Sequence, residues 1–252
     1  MNYVEYGKEN KYDDDIFFQK YSQMSRSQQG LAGAGEWETL RKLLPDFKDK
    51  RVLDLGCGYG WHCIYAMEHG ASSVVGVDIS HKMLEVAKEK THFPQVEYKC
   101  CAIEDVEFPE ESFDVILSSL AFHYVADYEI LVKKIYRILK SGGKLVFTVE
   151  HPVFTAYGTQ DWYYNEKGEI LHFPVDNYYY EGKRTAVFLG EKVTKFHRTL
   201  TTYLNTLLSN GFIINHIVEP QPPENMMDIP GMQDEMRRPM MLIVSANKKV
   251  DR

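Results

Sequence analysis

The feature that most constrains this chain is a glycine-rich turn between two apolar strands. An apolar run at residues 52–55 enters the turn, and a second run at residues 74–77 ends in Asp78. Glycine allows positive φ and lets a ligand approach where a Cβ would collide. An acid at the end of the second strand, about 20 residues on, is placed to accept hydrogen bonds from a ribose diol. The pattern predicts a nucleoside-cofactor site, and the turn glycines are Gly56, Gly58 and Gly60.

The spacing of these glycines separates two kinds of cofactor. The dinucleotide fingerprint G-x-G-x-x-G needs a third glycine beside the pyrophosphate, but that position is Trp61. A carboxylate, Asp54, instead precedes Gly56 by two residues, and it suits a ligand with an ammonium group better than one with phosphates. This arrangement resembles the first motif of the class I, type 11-like S-adenosylmethionine-dependent methyltransferases. Asp54, Gly56, Gly58 and Asp78 match that motif, and the resemblance implies S-adenosyl-L-methionine as the cofactor.

Composition narrows the class of acceptor. A chain of 252 residues with 44% hydrophobic content is long enough for one α/β domain. Its net charge of −7 argues against a general affinity for nucleic acid, which needs a basic surface. The N-terminus lacks signal-peptide features, and no apolar run approaches the roughly 18 residues of a membrane span. We therefore expect a cytoplasmic enzyme with a small-molecule substrate and no nucleic-acid or membrane partner. None of the four cysteines forms a C-x-x-C pair, so no metal site is expected.

Strands and helices alternate along the chain, which predicts an α/β fold with a doubly wound, mostly parallel sheet. Seven strands are predicted, at residues 52–55, 74–77, 96–99, 113–117, 144–149, 212–218 and 241–246. The resemblance implies a Rossmann-like methyltransferase fold whose last strand lies antiparallel beside the fifth. Helices are predicted at residues 16–24, 36–44, 61–69, 80–87, 128–139 and 199–208, with a loop at 25–35.

We divide the chain into four parts. Residues 1–35 form an N-terminal arm or lid, 36–150 the cofactor-binding core, 151–198 an inserted β-rich cap, and 199–252 the C-terminal part of the core. The cap is rich in tyrosine and punctuated by glycine, which indicates hairpins. It has two interpretations: a lid that gives the acceptor a dry aromatic pocket, or the surface of a homodimer, where tyrosine is enriched.

The resemblance also implies further cofactor residues. Ile79 and Met83 would pack on the adenine and ribose. Ile103, Glu104 and Asp105 resemble the segment that edges the adenine, although a solvated turn is the alternative for the two acids. The segment that begins at Ser118 resembles the one beneath the sulfonium.

The N-terminal arm supplies two more candidates. Tyr21 and Arg26 would close over the cofactor, with Arg26 paired to the methionine carboxylate because a planar guanidinium suits a carboxylate. The alternative is a surface arm without ligand contact.

Methyl transfer from a sulfonium is a direct displacement, so the protein mainly aligns donor and acceptor. A base is needed only if the acceptor loses a proton. Its candidates are His123, His151 and His197, of which His151 is favoured because it directly follows the fifth strand. Arg198 is expected to bind an acidic substrate or to pair with Glu150.

Two other functions stay open at this point. A nicotinamide-dependent oxidoreductase shares the glycine turn and the acid, although Trp61 speaks against it. A non-catalytic module that only binds S-adenosylmethionine would keep the same motifs.

Overall fold

The central sheet has seven strands, in the order β10-β11-β5-β4-β1-β2-β3. The computed structural model describes Lys8 and residues 10–250. All neighbouring pairs from β5 to β3 are parallel, whereas β11 is antiparallel to both β5 and β10. This confirms the predicted sheet and its reversed last strand. The strands of the sheet are β1 Arg51–Leu55, β2 Ser73–Asp78, β3 Val96–Cys100, β4 Phe113–Ser119, β5 Leu139–Glu150, β10 Phe212–Val218 and β11 Met241–Lys248.

Helices cover both faces of the sheet, and polar side chains begin several of them. Asp14 accepts from the amides of Ile16 and Phe17, and Ser80 accepts from the amide of Met83, so orphan N–H groups of the first turn are satisfied. The helices are α1 Asp15–Ser22, α2 Ser25–Gln29, α3 Trp37–Leu40, α4 Trp61–Glu68, α5 His81–Lys90, α6 Tyr128–Ile138, α7 Pro152–Ala156, α8 Leu200–Ser209 and α9 Met232–Glu235. In the described part of the chain no helix has the length and apolarity of a membrane span.

Alternation along the strands divides the core between the two faces of the sheet. Leu53 and Leu55 of β1 lie in one buried cluster with α6 and α8. Val52 lies in the other, together with α3 and α4. Successive strand side chains point to opposite faces, and both faces are apolar because helices cover both. Cys57 and Cys63 belong to the second cluster as small buried side chains.

The cap consists of two hairpins outside the main sheet. β6 Tyr163–Tyr164 pairs with β7 Ile170–His172, and β8 Gly182–Phe188 pairs with β9 Glu191–His197, both antiparallel. The second hairpin packs on the N-terminal arm, because Ala186 and Val193 bury the ring of Phe17. Arm and hairpin are therefore in contact over the ends of the sheet strands.

Three local predictions were wrong. Residues 25–33 are helical rather than loop: α2 is followed by a short 3-10 turn, held by contacts of Arg26 and Ser27 that outweigh weak local propensity. β5 begins at Leu139, five residues earlier than expected. The pairing of β4 with β5 shifts register between Phe113 and Val115, and the extra residues of β5, which include the glycines at 142 and 143, lie in this shift. Helix α7 was missed, although Pro152 at its first position suits a helix start.

Candidate active site

The glycine turn is tied to the end of β2 by backbone hydrogen bonds. The amides of Gly56 and Cys57 donate to the carbonyl of Val77 at 2.8 and 2.9 Å. Gly56 has φ +79°, and a Cβ there would collide with the Cβ of Ala121. Only glycine therefore allows the end of β1 and the segment after β4 to approach this closely.

Asp78 organises the same turn from β2. Its Oδ2 accepts from the amide of Gly58 at 2.9 Å, and its Oδ1 accepts from the amide of Ser80 at 2.9 Å. A carboxylate has about four lone-pair positions, so Asp78 keeps capacity for a further donor such as a ribose hydroxyl. Burial raises the pKa of Asp78 to about 6, against the opposing backbone hydrogen bonds.

A cavity of about 230 Å³ lies at the carboxyl ends of the strands. It extends from the turn and the end of β2 past the end of β4 to the end of β5, under the arm and the β8–β9 hairpin. Nine predicted cofactor residues line it: Tyr21, Arg26, Gly56, Gly58, Asp78, Ile79, Met83, Ile103 and Glu104.

Four predicted cofactor residues lie outside the cavity lining. Ser118 donates from Oγ to the carbonyl of Leu55 at 2.7 Å, which joins β4 to β1. Asp105 pairs with Lys8 at the surface. Gly60 has φ +75° and faces β3, where a Cβ would collide with the Tyr98 hydroxyl. The fourth, Asp54, lies in the core at the end of β1.

Asp54 is a buried carboxyl group with spare capacity to accept. It is 1% exposed, its Oδ2 accepts from Sγ of Cys63 at 3.5 Å, and its Oδ1 has no partner among the described residues. Burial raises the pKa of Asp54 to about 7, and the nearby charge of Asp78 adds to the rise. Such a group favours a positive charge nearby, which fits a cofactor with ammonium and sulfonium groups.

The N-terminal arm docks on the cofactor side of the cavity. Asp13 accepts from Ser80 Oγ at 2.6 Å and from the amide of Lys82 at 3.1 Å, at the start of α5. Arg26 lines the cavity while its Nη2 donates to both oxygens of Glu36 at 2.6 and 2.7 Å. The arm also brings Tyr12 into the lining, a residue that the sequence analysis did not single out.

Two of the three candidate histidines, His151 and His197, lie outside the cavity lining. His151 caps α7: its Nδ1 accepts from the amide of Val153 at 3.0 Å, and its Nε2 lies 2.9 Å from Oε1 of Glu219. His197 is buried, with Nδ1 2.7 Å from Thr155 Oγ1 and Nε2 2.9 Å from the carbonyl of Tyr178. Neither lines the cavity; both nitrogens of His197 and Nδ1 of His151 are in local hydrogen bonds.

His123 is the histidine that lines the cavity. Its Nδ1 accepts from the amide of Glu150 at 3.4 Å, which puts the ring proton on Nε2. Burial lowers the pKa of His123 to about 4, although the Glu150 charge opposes this. The ring is therefore neutral near pH 7 and offers a donor rather than a base.

A buried ion pair forms the wall at the end of β5. Lys195 of β9 donates to Oε1 of Glu150 at 2.5 Å and to Oε1 of Gln160 at 2.9 Å. Gln160 donates in turn to Oε2 of Glu150 at 2.7 Å. Arg198 was expected to pair with Glu150 or a substrate, but it donates to backbone carbonyls, Val125 and Ala126 among them. The sequence did not reveal this pair, because its members are 45 positions apart in the chain.

The aromatic cap does not build an aromatic pocket. Phe188 is its one aromatic residue in the described cavity lining, and the other rings in that lining come from the arm and from Tyr124. Several tyrosines of the cap are largely exposed, at 56% for Tyr163 and 87% for Tyr179. The arm and the β8–β9 hairpin, rather than the tyrosine-rich segments, contribute to the cavity lining.

The glycine cradle, the acid at the end of β2 and the unpartnered Asp54 oxygen together fit S-adenosylmethionine. Comparison with known proteins agrees. Residues 53–147 match the family model described as "Methyltransferase domain". A crystal structure from Listeria monocytogenes, assigned as an S-adenosylmethionine-dependent methyltransferase, is 58% identical, with a TM-score of 0.84 over 87% of this chain and 99% of that one.

Two further proteins are similar over most of their length. An S-adenosylmethionine-dependent methyltransferase from Mesorhizobium loti is 40% identical, with a TM-score of 0.80 over 87% of this chain and all (100%) of that one. An uncharacterised protein of Haemophilus influenzae is 34% identical over 250 residues, which are 94% of this chain and 96% of that protein. The fold and site define a Rossmann-like nucleoside-binding enzyme. The chain belongs to the class I S-adenosylmethionine-dependent methyltransferases, and S-adenosylmethionine is its cofactor.

Proposed function

We propose that this methyltransferase acts on a small organic molecule bound at the β4 and β5 end of the cavity. The observation that carries the proposal is that one cavity joins the cofactor turn to the buried polar wall of His123, Glu150 and Lys195. The arm and the β8–β9 hairpin cover this space, which suits a small acceptor. The net charge of −7 further disfavours a nucleic-acid acceptor.

The lining supports our assignment of the cofactor side. Asp78 would hold the ribose, because lone-pair capacity remains on it beside its bonds to the amides of Gly58 and Ser80. Backbone at Gly56 and Gly58 would surround the methionine part, and Arg26 would pair with its carboxylate.

The adenine side follows from the segment after β3. Ile79, Met83 and Ile103 are among the apolar residues of this part of the lining, and Glu104 is an acid beside them. We place the adenine between them, with Glu104 rather than Asp105 near its amino group. Tyr21 would close this side from the arm.

The bound cofactor supplies an activated methyl carbon, so the chain's own residues bind, orient and exclude water. His123 does not meet the description of a general base, because burial lowers its pKa to about 4 and Nδ1 already accepts from a backbone amide. Its Nε2 proton is placed to orient an acceptor by hydrogen bonding. We do not propose His151 or His197 as the base, because both residues lie outside the cavity lining.

The test is transfer of radioactive methyl from labelled S-adenosylmethionine to a cell extract divided by ultrafiltration. We expect enzyme-dependent label in the low-molecular-mass filtrate. Label only in the retained protein or nucleic acid would contradict the small acceptor. An Asp78→Ala variant serves as the control for enzyme dependence.

A further inference from the structure

The acceptor end of the cavity carries a charged wall that the cofactor side does not need. Asp78 ends β2 and Glu150 ends β5, and β1 and β4 lie between these strands. Three strand spacings of about 4.8 Å put the two ends about 14 Å apart. The ion pair of Glu150 and Lys195 therefore belongs to the acceptor side, together with His123.

This wall is buried, so its hydrogen-bonding capacity can be followed atom by atom. Lys195 is 3% exposed, and burying an ammonium is costly unless it is paired and hydrogen-bonded. Both carboxylate oxygens of Glu150 already accept, Oε1 from Lys195 and Oε2 from Gln160. Each Glu150 oxygen thus has one partner within the wall and keeps further lone-pair capacity.

The N–H donors of the wall also keep free capacity. An ammonium has three N–H bonds, and two of those of Lys195 go to Glu150 and Gln160. The third N–H bonds to neither of these residues. The centroid of the Phe188 ring is 5.5 Å from Nζ, and Phe188 and Lys195 both line the cavity. His123 adds a second donor, since its accepting Nδ1 leaves the proton on Nε2.

From these two donors we propose that the acceptor site recognises an anionic oxygen on the small substrate, a carboxylate or an ionised hydroxyl, through Lys195 Nζ and His123 Nε2. This inference rests on the proposed function and names the class of its substrate. Lys195 and His123 both line the cavity, and hydrogen bonds from a charged donor to an oxyanion are the strong type. If the anionic oxygen is the methyl acceptor, the same charge favours its ionised form, so a protein base is not required.

The test measures binding of matched probe pairs to the whole protein saturated with S-adenosylhomocysteine, which blocks the cofactor side. Calorimetry compares benzoate with benzamide, hexanoate with hexanamide, and 4-nitrophenolate with 4-nitroaniline. We expect the anion to bind at least tenfold more tightly in one or more pairs. Preference in the first two pairs identifies a carboxylate site, and preference in the third alone identifies an ionised hydroxyl.

The variants locate this preference. Lys195→Met combined with Glu150→Gln removes both charges without leaving a buried one unpaired, and Gln160 can still donate to the new amide. The preference should disappear in this double variant and persist in Lys248→Met, which changes a second buried lysine paired to Glu111. If the double variant does not fold, Lys195→Arg and His123→Phe take its place, and they should retain and weaken the preference respectively.

Equal binding of anion and neutral partner in every pair, or no binding of any probe, overturns the inference. So does a preference that survives loss of the Lys195 charge. Failure of the proposed function is distinguishable, because methyl label confined to macromolecules can coexist with an intact anion preference.

Discussion

At the scale of single residues, the account depends on two buried carboxyl groups under the glycine turn. Asp78 has hydrogen bonds to the turn and faces the cavity, whereas Asp54 lies behind it with one oxygen unpartnered. Both have pKa values raised by burial, to about 6 and about 7. Ionising these carboxyl groups therefore costs free energy in the ligand-free protein, and a cation bound nearby would reduce that cost.

Asp78→Ala should weaken binding of S-adenosylhomocysteine by about 1–3 kcal/mol, the scale for losing hydrogen bonds to a charged group. The matched control is Asp105→Ala, because Asp105 lies at the surface in an ion pair with Lys8. Calorimetric titration of both variants measures the difference. Unchanged affinity in Asp78→Ala would remove the ribose assignment.

Asp54 predicts a pH dependence of stability. Its folded pKa of about 7 lies above the unfolded value of 3.8, so its stabilising contribution is full below pH 4 and is lost as pH rises through 7. With 1.36 kcal/mol per pKa unit, the loss between pH 5 and pH 8 is about 2–3 kcal/mol. Asp54→Asn should lack this part of the loss in denaturant unfolding of the ligand-free protein. An identical pH profile in the variant would contradict the raised pKa.

His151 is predicted to act on helix α7 rather than on the reaction. His151→Ala removes the side chain that caps α7 and should reduce the free energy of unfolding by about 1 kcal/mol. Methyl transfer, measured at saturating cofactor, should be retained. A large loss of turnover with a normal unfolding curve would restore His151 as a base.

At the scale of elements, the arm and the β8–β9 hairpin both contribute residues to the cavity lining. Asp13 joins the arm to the start of α5, and Lys20 of α1 donates to the carbonyl of Leu189 in the hairpin at 3.0 Å. These contacts hold two separate segments over the same opening. We infer that cofactor exchange requires the arm to move.

Asp13→Ala should loosen the arm. The variant loses the bonds to Ser80 Oγ and the Lys82 amide, so we expect faster release of S-adenosylhomocysteine and faster proteolysis near residues 10–24. Asp15→Ala is the control, because Asp15 is also paired with Lys82 but its side chain is 96% exposed. Equal behaviour of the two variants in stopped-flow release would argue against an arm that covers the cofactor.

At the scale of the whole molecule, the sequence predicted the parts with strong local signals. Apolar runs and glycine turns identified the sheet strands, and the alternation predicted their parallel order. Part of the cavity lining could be predicted for the same reason, since its residues end or follow strands. Asp78, Ile79 and Ile103 were proposed from such positions, and all three line the cavity.

The acceptor side was harder because it is assembled from distant segments. Lys195 and Glu150 meet across 45 residues, and the arm reaches the cavity through tertiary contacts that no local pattern encodes. His151 follows a strand, and its second role as the cap of α7 came from the proline beside it, which the sequence analysis did not use. The position of the reversed strand β11 followed from the family resemblance rather than from periodicity.

The measurement that tests the central claim most directly is calorimetric titration of the purified protein with S-adenosylhomocysteine, with NAD as the control ligand. The account predicts saturable binding of S-adenosylhomocysteine, weakened in Asp78→Ala, and no binding of NAD. Binding of NAD alone would contradict the cofactor assignment, and with it the methyl transfer built on the cavity.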